Sequence, residues 1–386
     1  MLYRDGRFAK DPRFRFFLLN SMMRWQALRL GNIFVKQNSF FNKMTVYQLK
    51  QYLKRNPGHL KEILFYSRRI KSTKAYWRSR CSELEDMVKQ IGAPTVFFTL
   101  SSADYHWKEL YRLLGCEESA NLTYSEKSRL LSENPLILTT FFKHRVQYFL
   151  KKTFYDYFDV QDFWFRTEFQ SRGSCHVHGV AWLKNAPDIT RLNSEKDKAE
   201  ALKYFTNLVT CQNPDLSFRP NLIHPCSKNI TDIVNLEDDL AELVNRVQRH
   251  SCSTSYCLKK RNRIVRDCRF GFPKDLQESS ELSVSDGGHE IVFQRNDQFV
   301  NNFNPWILQT WRSNIDFSPI VSERILYKYI AKYANLLYNG QFEDEHCKKV
   351  IRKLLVKTCA EHDYSAQEAF TTRANSNDYE EVVNSG

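Results

Sequence analysis

The period of the apolar positions changes several times along this chain, and each change marks an element. In SMMRWQALRLGNIFVKQ (21–37) and TVYQLKQYLKRNP (45–57), apolar residues recur at helical spacing with cations between them. This predicts helices with basic outer faces in an accessory region spanning 1–90. Gly92 and Pro94 then punctuate the chain, and 95–100 reads as a strand. Helical patterns follow over about 106–115 and 124–153, the second open to interruption at Pro135. In VQDFWFRTEFQSRGSCHVHGVAWLKN the pattern becomes that of a hairpin, with strands over 162–170 and 175–183 about a turn at 171–174. Residues 195–250 read as helical around a loop at NPDLSFRPNLIHPCSKN, SSELSVSDGG as a polar connector, EIVFQR as a strand, and SERILYKYIAKYANLLYNG as a helix ended by Gly340. The mixture predicts an α+β chain with a flexible tail at 371–386.

Composition narrows the partner. Lys and Arg number 57 against 44 Asp and Glu, a net charge of +13, which favours a polyanion such as nucleic acid or an acidic membrane surface. The 28 Phe, 19 Tyr and 7 Trp serve first as core, and secondarily as platforms for unpaired bases. The start of the chain lacks the apolar block of a secretory signal, and no apolar run reaches bilayer-spanning length. The expectation is a soluble protein made inside the cell with no membrane partner. Its ten cysteines then favour free thiols or a metal site over disulfides.

Period-2 alternation puts His176 and His178 on one face of their strand, and Glu168 with Gln170 on one face of the strand before it. Two imidazoles and a carboxylate make a workable cation site with open positions for water and a phosphoryl oxygen; Gln170 is the alternative third ligand. Arg172 in the turn reads either as a phosphate contact or as an ordinary turn residue. Phe163, Trp164, Phe165 and Trp182 read as sheet packing in preference to base stacking. In ILYKYIAKY, Tyr329 and Tyr333 share a helix face, with Lys328 and Lys332 at the same spacing on another. A phenol near a divalent ion can attack phosphorus; the competing reading is an aromatic edge packed on a sheet. His250, Cys252, Cys257 and Cys268 form H-x-C-x4-C-x10-C, a set suited to tetrahedral zinc, with His224 and Cys226 as alternative ligands. Lys259, Lys260, Arg261, Arg263 and Arg266 lie between its last two cysteines and offer either a phosphate-binding patch, a solvated face or part of a nuclear import signal. His106 reads as a core residue or as one that supports a ligand.

Six blocks in this order, PTVFFTLSSADYHWKELYRLL, ENPLILTTFFKHRVQYF, FWFRTEFQSRGSCHVHGVAWL, CRFGFPK, FNPWILQTWRSNI and ILYKYIAKY, resemble the Rep endonuclease portion of Helitron rolling-circle transposases, also described as the Helitron helicase-like domain. The resemblance runs from about residue 1, where DPRFRFFLLNSMMR also fits, to DYSAQEA near 369. It implies an HUH-type central antiparallel sheet flanked by helices over 91–370, with a Cys/His insertion at 224–275. It also implies metal-binding roles for His176 and His178, completed by Glu168 or Gln170 with Mg²⁺ or Mn²⁺, and nucleophilic roles for Tyr329 and Tyr333. The implied activity is nuclear: cleavage and transfer of single-stranded DNA at transposon ends through a 5'-phosphotyrosyl link that frees a 3'-hydroxyl. An inactive DNA-binding remnant and a metal-dependent hydrolase without a covalent intermediate are the alternatives. Family members continue into a Pif1-type helicase, which is expected only outside this chain because no G-x-x-x-x-G-K-[ST] occurs in it.

Overall fold

The computed structural model describes residues 12–320, except 38, 57, 60–61, 63–67, 69–73, 170–173, 189–191, 193, 255–256, 262–263 and 286–287. It divides into two compact units, whose described parts are 12–92 and 93–320.

The first unit contains α1 (Pro12–Gln37), α2 (Ser39–Asn42), α3 (Val46–Arg55) and α4 (Lys74–Ile91). Thr45 starts α3 with a reciprocal cap: its hydroxyl accepts the Gln48 N–H while the Gln48 side chain accepts the Thr45 N–H. Ala27, Phe34, Phe41 and Leu49 are buried within this unit.

The second unit runs through β1 (Val96–Ser101), α5 (Lys108–Leu113), α6 (Tyr124–Glu133), α7 (Pro135–Tyr148), α8 (Tyr155–Phe158), β2 (Val160–Phe169), β3 (Cys175–Leu183), α9 (Glu195–Leu208) and α10 (Leu236–Leu243). It continues through β4 (Leu258–Arg261), β5 (Ile264–Cys268), β6 (Glu281–Ser285), β7 (Gly288–Val292), α11 (Pro305–Trp311) and β8 (Ile315–Pro319). The interruption expected at Pro135 is real: α6 ends at Glu133 with Asn134 as its cap, and Pro135 occupies the first turn of α7, where its missing N–H leaves no bond unmade. The polar stretch SSELSVSDGG corrects an expectation. Much of it forms β6, whose ELSVS alternates polar and apolar positions; among the described residues it pairs with β7, with Leu282 packed against the core and Val284 79% exposed.

The main sheet has the order β2-β3-β1-β8 with every neighbouring pair antiparallel. One face carries Phe98 and Leu100 from β1, Val177 and Ala181 from β3, and Ile315 and Phe317 from β8, and it belongs to the continuous core. In that core Trp107, Phe142, Phe149 and Trp311 meet mostly edge to face, and the Trp311 indole N–H donates to the Ser101 carbonyl at 2.8 Å. Edge strand β8 does not end in open backbone. The buried Gln248 amide accepts the Ile315 N–H at 3.2 Å and donates to the Ile315 carbonyl at 2.7 Å, standing in for a fifth strand. The Arg312–Asp239 pair, each 3% exposed and 2.5 Å apart at its closest, ties the end of α11 to α10. Its burial calls for such pairing.

Gly179 is required where β3 passes under Phe98, because a Cβ there would fall under 3.0 Å from three atoms of the ring. Gly179→Ala should therefore destabilise the protein by about 1–3 kcal/mol, the usual range for overpacking. Denaturant titration measures this, and Phe98→Leu in the same chain should cost less than the two changes added separately.

Candidate metal centre

The opposite face of the sheet buries Phe97, Val180 and Trp182 toward one end and carries polar side chains toward the other, where the strand register decides which of them meet. Glu168 on β2 pairs with His176 on β3, which pairs with Ser101 on β1. One step along, Arg166, His178, Thr99 and Asp316 form a second row across all four strands. Three ligand atoms converge between the rows. The Nε2 atoms of His176 and His178 are 2.8 Å apart, and Glu168 Oε2 lies 3.1 Å from His178 Nε2 and 3.5 Å from His176 Nε2.

These separations fit a divalent ion. Adjacent ligands about 2.1 Å from an octahedral cation lie about 3.0 Å apart. Two imidazoles and a carboxylate on one side leave the remaining positions for water or a phosphoryl oxygen. Burial lowers the pKa of His178, more than its hydrogen bond to Glu168 raises it, which favours the neutral ring that a metal requires. The pair His176 and His178 and the partner Glu168 are thus brought together as the hairpin pattern indicated. Gln170 lies outside the described residues.

The rows also contain residues that sequence reasoning missed. Thr99 Oγ1 is 3.0 Å from His178 Nδ1. With the Nδ1 proton donated to that oxygen, the lone pair of Nε2 faces the convergence point. Arg166 places a guanidinium nitrogen 3.5 Å from Glu168 Oε2, with its side chain only 11% exposed. Burial pushes the Asp316 carboxyl up, against the lowering effect of its bond from Ser318 and of nearby Lys274. No local motif announces Thr99 or Asp316; only the pairing of strands distant in sequence makes them neighbours.

A second cluster joins His250, Cys252, Cys257 and Cys268, whose ligand atoms all lie within 4.8 Å of one another. Cys268 Sγ is 3.4 Å from His250 Nε2, consistent with the spacing of about 3.4–3.8 Å around a tetrahedral ion with N and S ligands. Burial acts to raise the Cys268 thiol, but hydrogen bonds from the Phe270 and Phe272 backbone and from the neighbouring cysteines hold it below its ordinary range. Gly271, at φ 71°, makes the turn that carries those amides. Phe272 stacks on the His250 ring at 4.5 Å. The described cysteines form no disulfide.

His224 and Cys226 are not in that cluster. The His224 ring lies face to face with His106, 3.5 Å between centroids, and burial lowers His224 to about 3 and His106 to about 4. Burial raises the Cys226 thiol to about 12. Phe163, Trp164 and Trp182 are buried in the sheet, as a packing role requires. Lys259, Lys260 and Arg261 belong to β4 and Arg266 to β5. Arg172, Arg263, Lys328, Lys332, Tyr329 and Tyr333 lie outside the described residues. No helix among the described residues is long and apolar enough to cross a membrane.

The model of the Helitron helicase-like domain at the N-terminus matches residues 1–181. That span contains Glu168, His176 and His178 and stops before the Cys/His cluster and both tyrosines. No curated protein matches the chain.

If Thr99 orients His178, Thr99→Val should weaken Mn²⁺ binding by about tenfold or more, the scale of effect when a partner of a metal-ligating histidine is removed. Thr99→Ser should bind as the native protein does. Calorimetric titration checks both, and equal affinity for the Val variant would show that the hydroxyl does not orient the ring.

Proposed function

On a chain that carries a Helitron-related domain over residues 1–181, we propose a divalent-metal-dependent single-stranded DNA endonuclease and strand transferase of the HUH class, acting at transposon ends in the nucleus. The observation that carries this reading is the convergence of Glu168, His176 and His178 on one polar sheet face inside the matched span. Those three side chains would hold Mg²⁺ or Mn²⁺. The bound ion would supply a Lewis acid for the nonbridging oxygens of the scissile phosphate.

Tyr329 and Tyr333 are the nucleophiles in this reading. The phenol of one gives up its proton and its oxygen bonds to phosphorus as the bond from phosphorus to the 3'-oxygen breaks; that oxygen takes up a proton. The products are a 5'-phosphotyrosyl link and a free 3'-hydroxyl. One phosphoester replaces another, so the step reverses without ATP and a second tyrosine can accept another strand. Arg166, beside the triad, adds fixed positive charge where phosphate charge accumulates. Arg172, Lys259, Lys260, Arg261, Arg263, Arg266, Lys328 and Lys332 would grip backbone phosphates and make binding salt-dependent. The Cys/His cluster would hold a structural zinc that fixes the β4–β5 hairpin.

Single-stranded DNA labelled at either end tests this on denaturing gels with Mg²⁺, Mn²⁺ or chelator. The expected result is protein covalently attached to the 5' side, lost in His176→Ala and in at least one of Tyr329→Phe and Tyr333→Phe. Cutting without attachment would make the protein a hydrolase, and binding without cutting would make it a DNA-binding remnant.

A further inference from the structure

The candidate metal centre lies in the second unit, yet the first is where cationic charge is most concentrated. Residues 12–56 hold nine Lys and Arg and no Asp or Glu. Within this segment a cleft of about 860 Å³ is lined by Phe40, Lys43, Met44, Tyr47, Gln48, Gln51, Tyr52, Arg55 and Asn56. Most of the lining comes from α3, where Tyr47, Gln51 and Arg55 recur every fourth residue and Gln48 and Tyr52 run beside them. The helix thus presents aromatic, amide and cation in succession over about 12 Å. Phe40 and Lys43 close the cleft from the preceding turn.

The state of these side chains is unusual for a structural surface. Tyr47 is 70% exposed and Phe40 58% exposed. Tyr47 makes no hydrogen bond or ring contact, and Lys43 and Arg55 make no ion pair, among the described residues. The Gln48 carbonyl oxygen is held by the Thr45 N–H at 2.9 Å and the Asn56 amide donates to the Tyr52 carbonyl at 3.1 Å, so the amides at the two ends of α3 are positioned. Tyr52 meets the Phe40 ring at 5.4 Å, edge to face, and fixes the back wall. Leaving large aromatic rings in water beside unpaired cations gains the fold nothing.

We propose that this cleft is a second binding site for single-stranded DNA, remote in sequence from the metal centre, in which an unpaired base stacks on Tyr47 or Phe40 while Lys43 and Arg55 neutralise the flanking phosphates. Stacking requires bases freed from a duplex, amides can meet base edges, and the absence of acidic residues across 12–56 suits a polyanion and no cation. The site deepens the nuclease reading, and rests on it for the choice of DNA: it would add a second hold on the substrate strand.

The test uses the full chain without divalent metal and a single-stranded oligonucleotide carrying 5-bromodeoxyuridine. Photocrosslinked peptides should map to 40–52, the duplex of the same sequence should leave them unlabelled, and Tyr47→Ala with Arg55→Gln should weaken binding about tenfold by fluorescence anisotropy. Both positions are exposed, so thermal melting should be unchanged. Crosslinks confined to other segments, or unchanged affinity in the double variant, would overturn the proposal. If cleavage is absent while the crosslinks and affinity loss are present, the nuclease reading fails and this site stands.

Discussion

The candidate metal centre of the second unit depends on the lateral register of four antiparallel strands. Pairing Glu168 with His176 and Arg166 with His178 puts one carboxylate and two imidazoles on the same face within 3.5 Å of one another. A shift of one residue would turn those groups toward the core and send Val177 and Cys175 to the polar face. The register is held from the other side of the sheet, where Gly179 admits the Phe98 ring and Ile315 and Phe317 enter the common core. The apolar face thereby fixes the geometry of the polar one. Burial in turn keeps the His178 ring neutral enough to act as a ligand.

The same logic explains what could be read from the linear chain. His176 and His178 were legible because alternation within a strand needs no knowledge of its neighbours. Glu168 followed because a short turn leaves little freedom in pairing. Thr99 and Asp316 were not legible: Thr99 lies 79 residues from the His178 it touches, and Asp316 reaches the same row only through β8. The Cys/His set was legible from ligand type, whereas the competing reading of His224 required the structure, which stacks it on His106. The polar stretch at 279–288 misled because its serines and glycines outweigh the two apolar positions, Leu282 and Val284, that alternate within β6. Helix boundaries at Thr45, Thr123 and Ser194 carry reciprocal caps, a local signal that survives without tertiary context.

The two units also divide the physical demands of acting on a charged polymer. The sheet of the second unit offers a confined, partly dehydrated convergence of ligands, where a phosphate can be polarised. The first offers exposed aromatic and cationic side chains along α3, which in the proposed site would meet bases and phosphates. The His250–Cys252–Cys257–Cys268 cluster serves a third purpose, closing a small core around Phe272 in a segment with few other buried residues.

The most direct measurement is Mn²⁺ stoichiometry by electron paramagnetic resonance on the native chain and on Glu168→Gln, His176→Ala and Cys268→Ser. The account predicts one Mn²⁺ that is lost in the first two variants while their far-ultraviolet spectra and zinc content stay native, and that is kept in Cys268→Ser, which loses zinc. Mn²⁺ binding that survives the loss of both Glu168 and His176 would contradict the claim that strand register builds the metal centre.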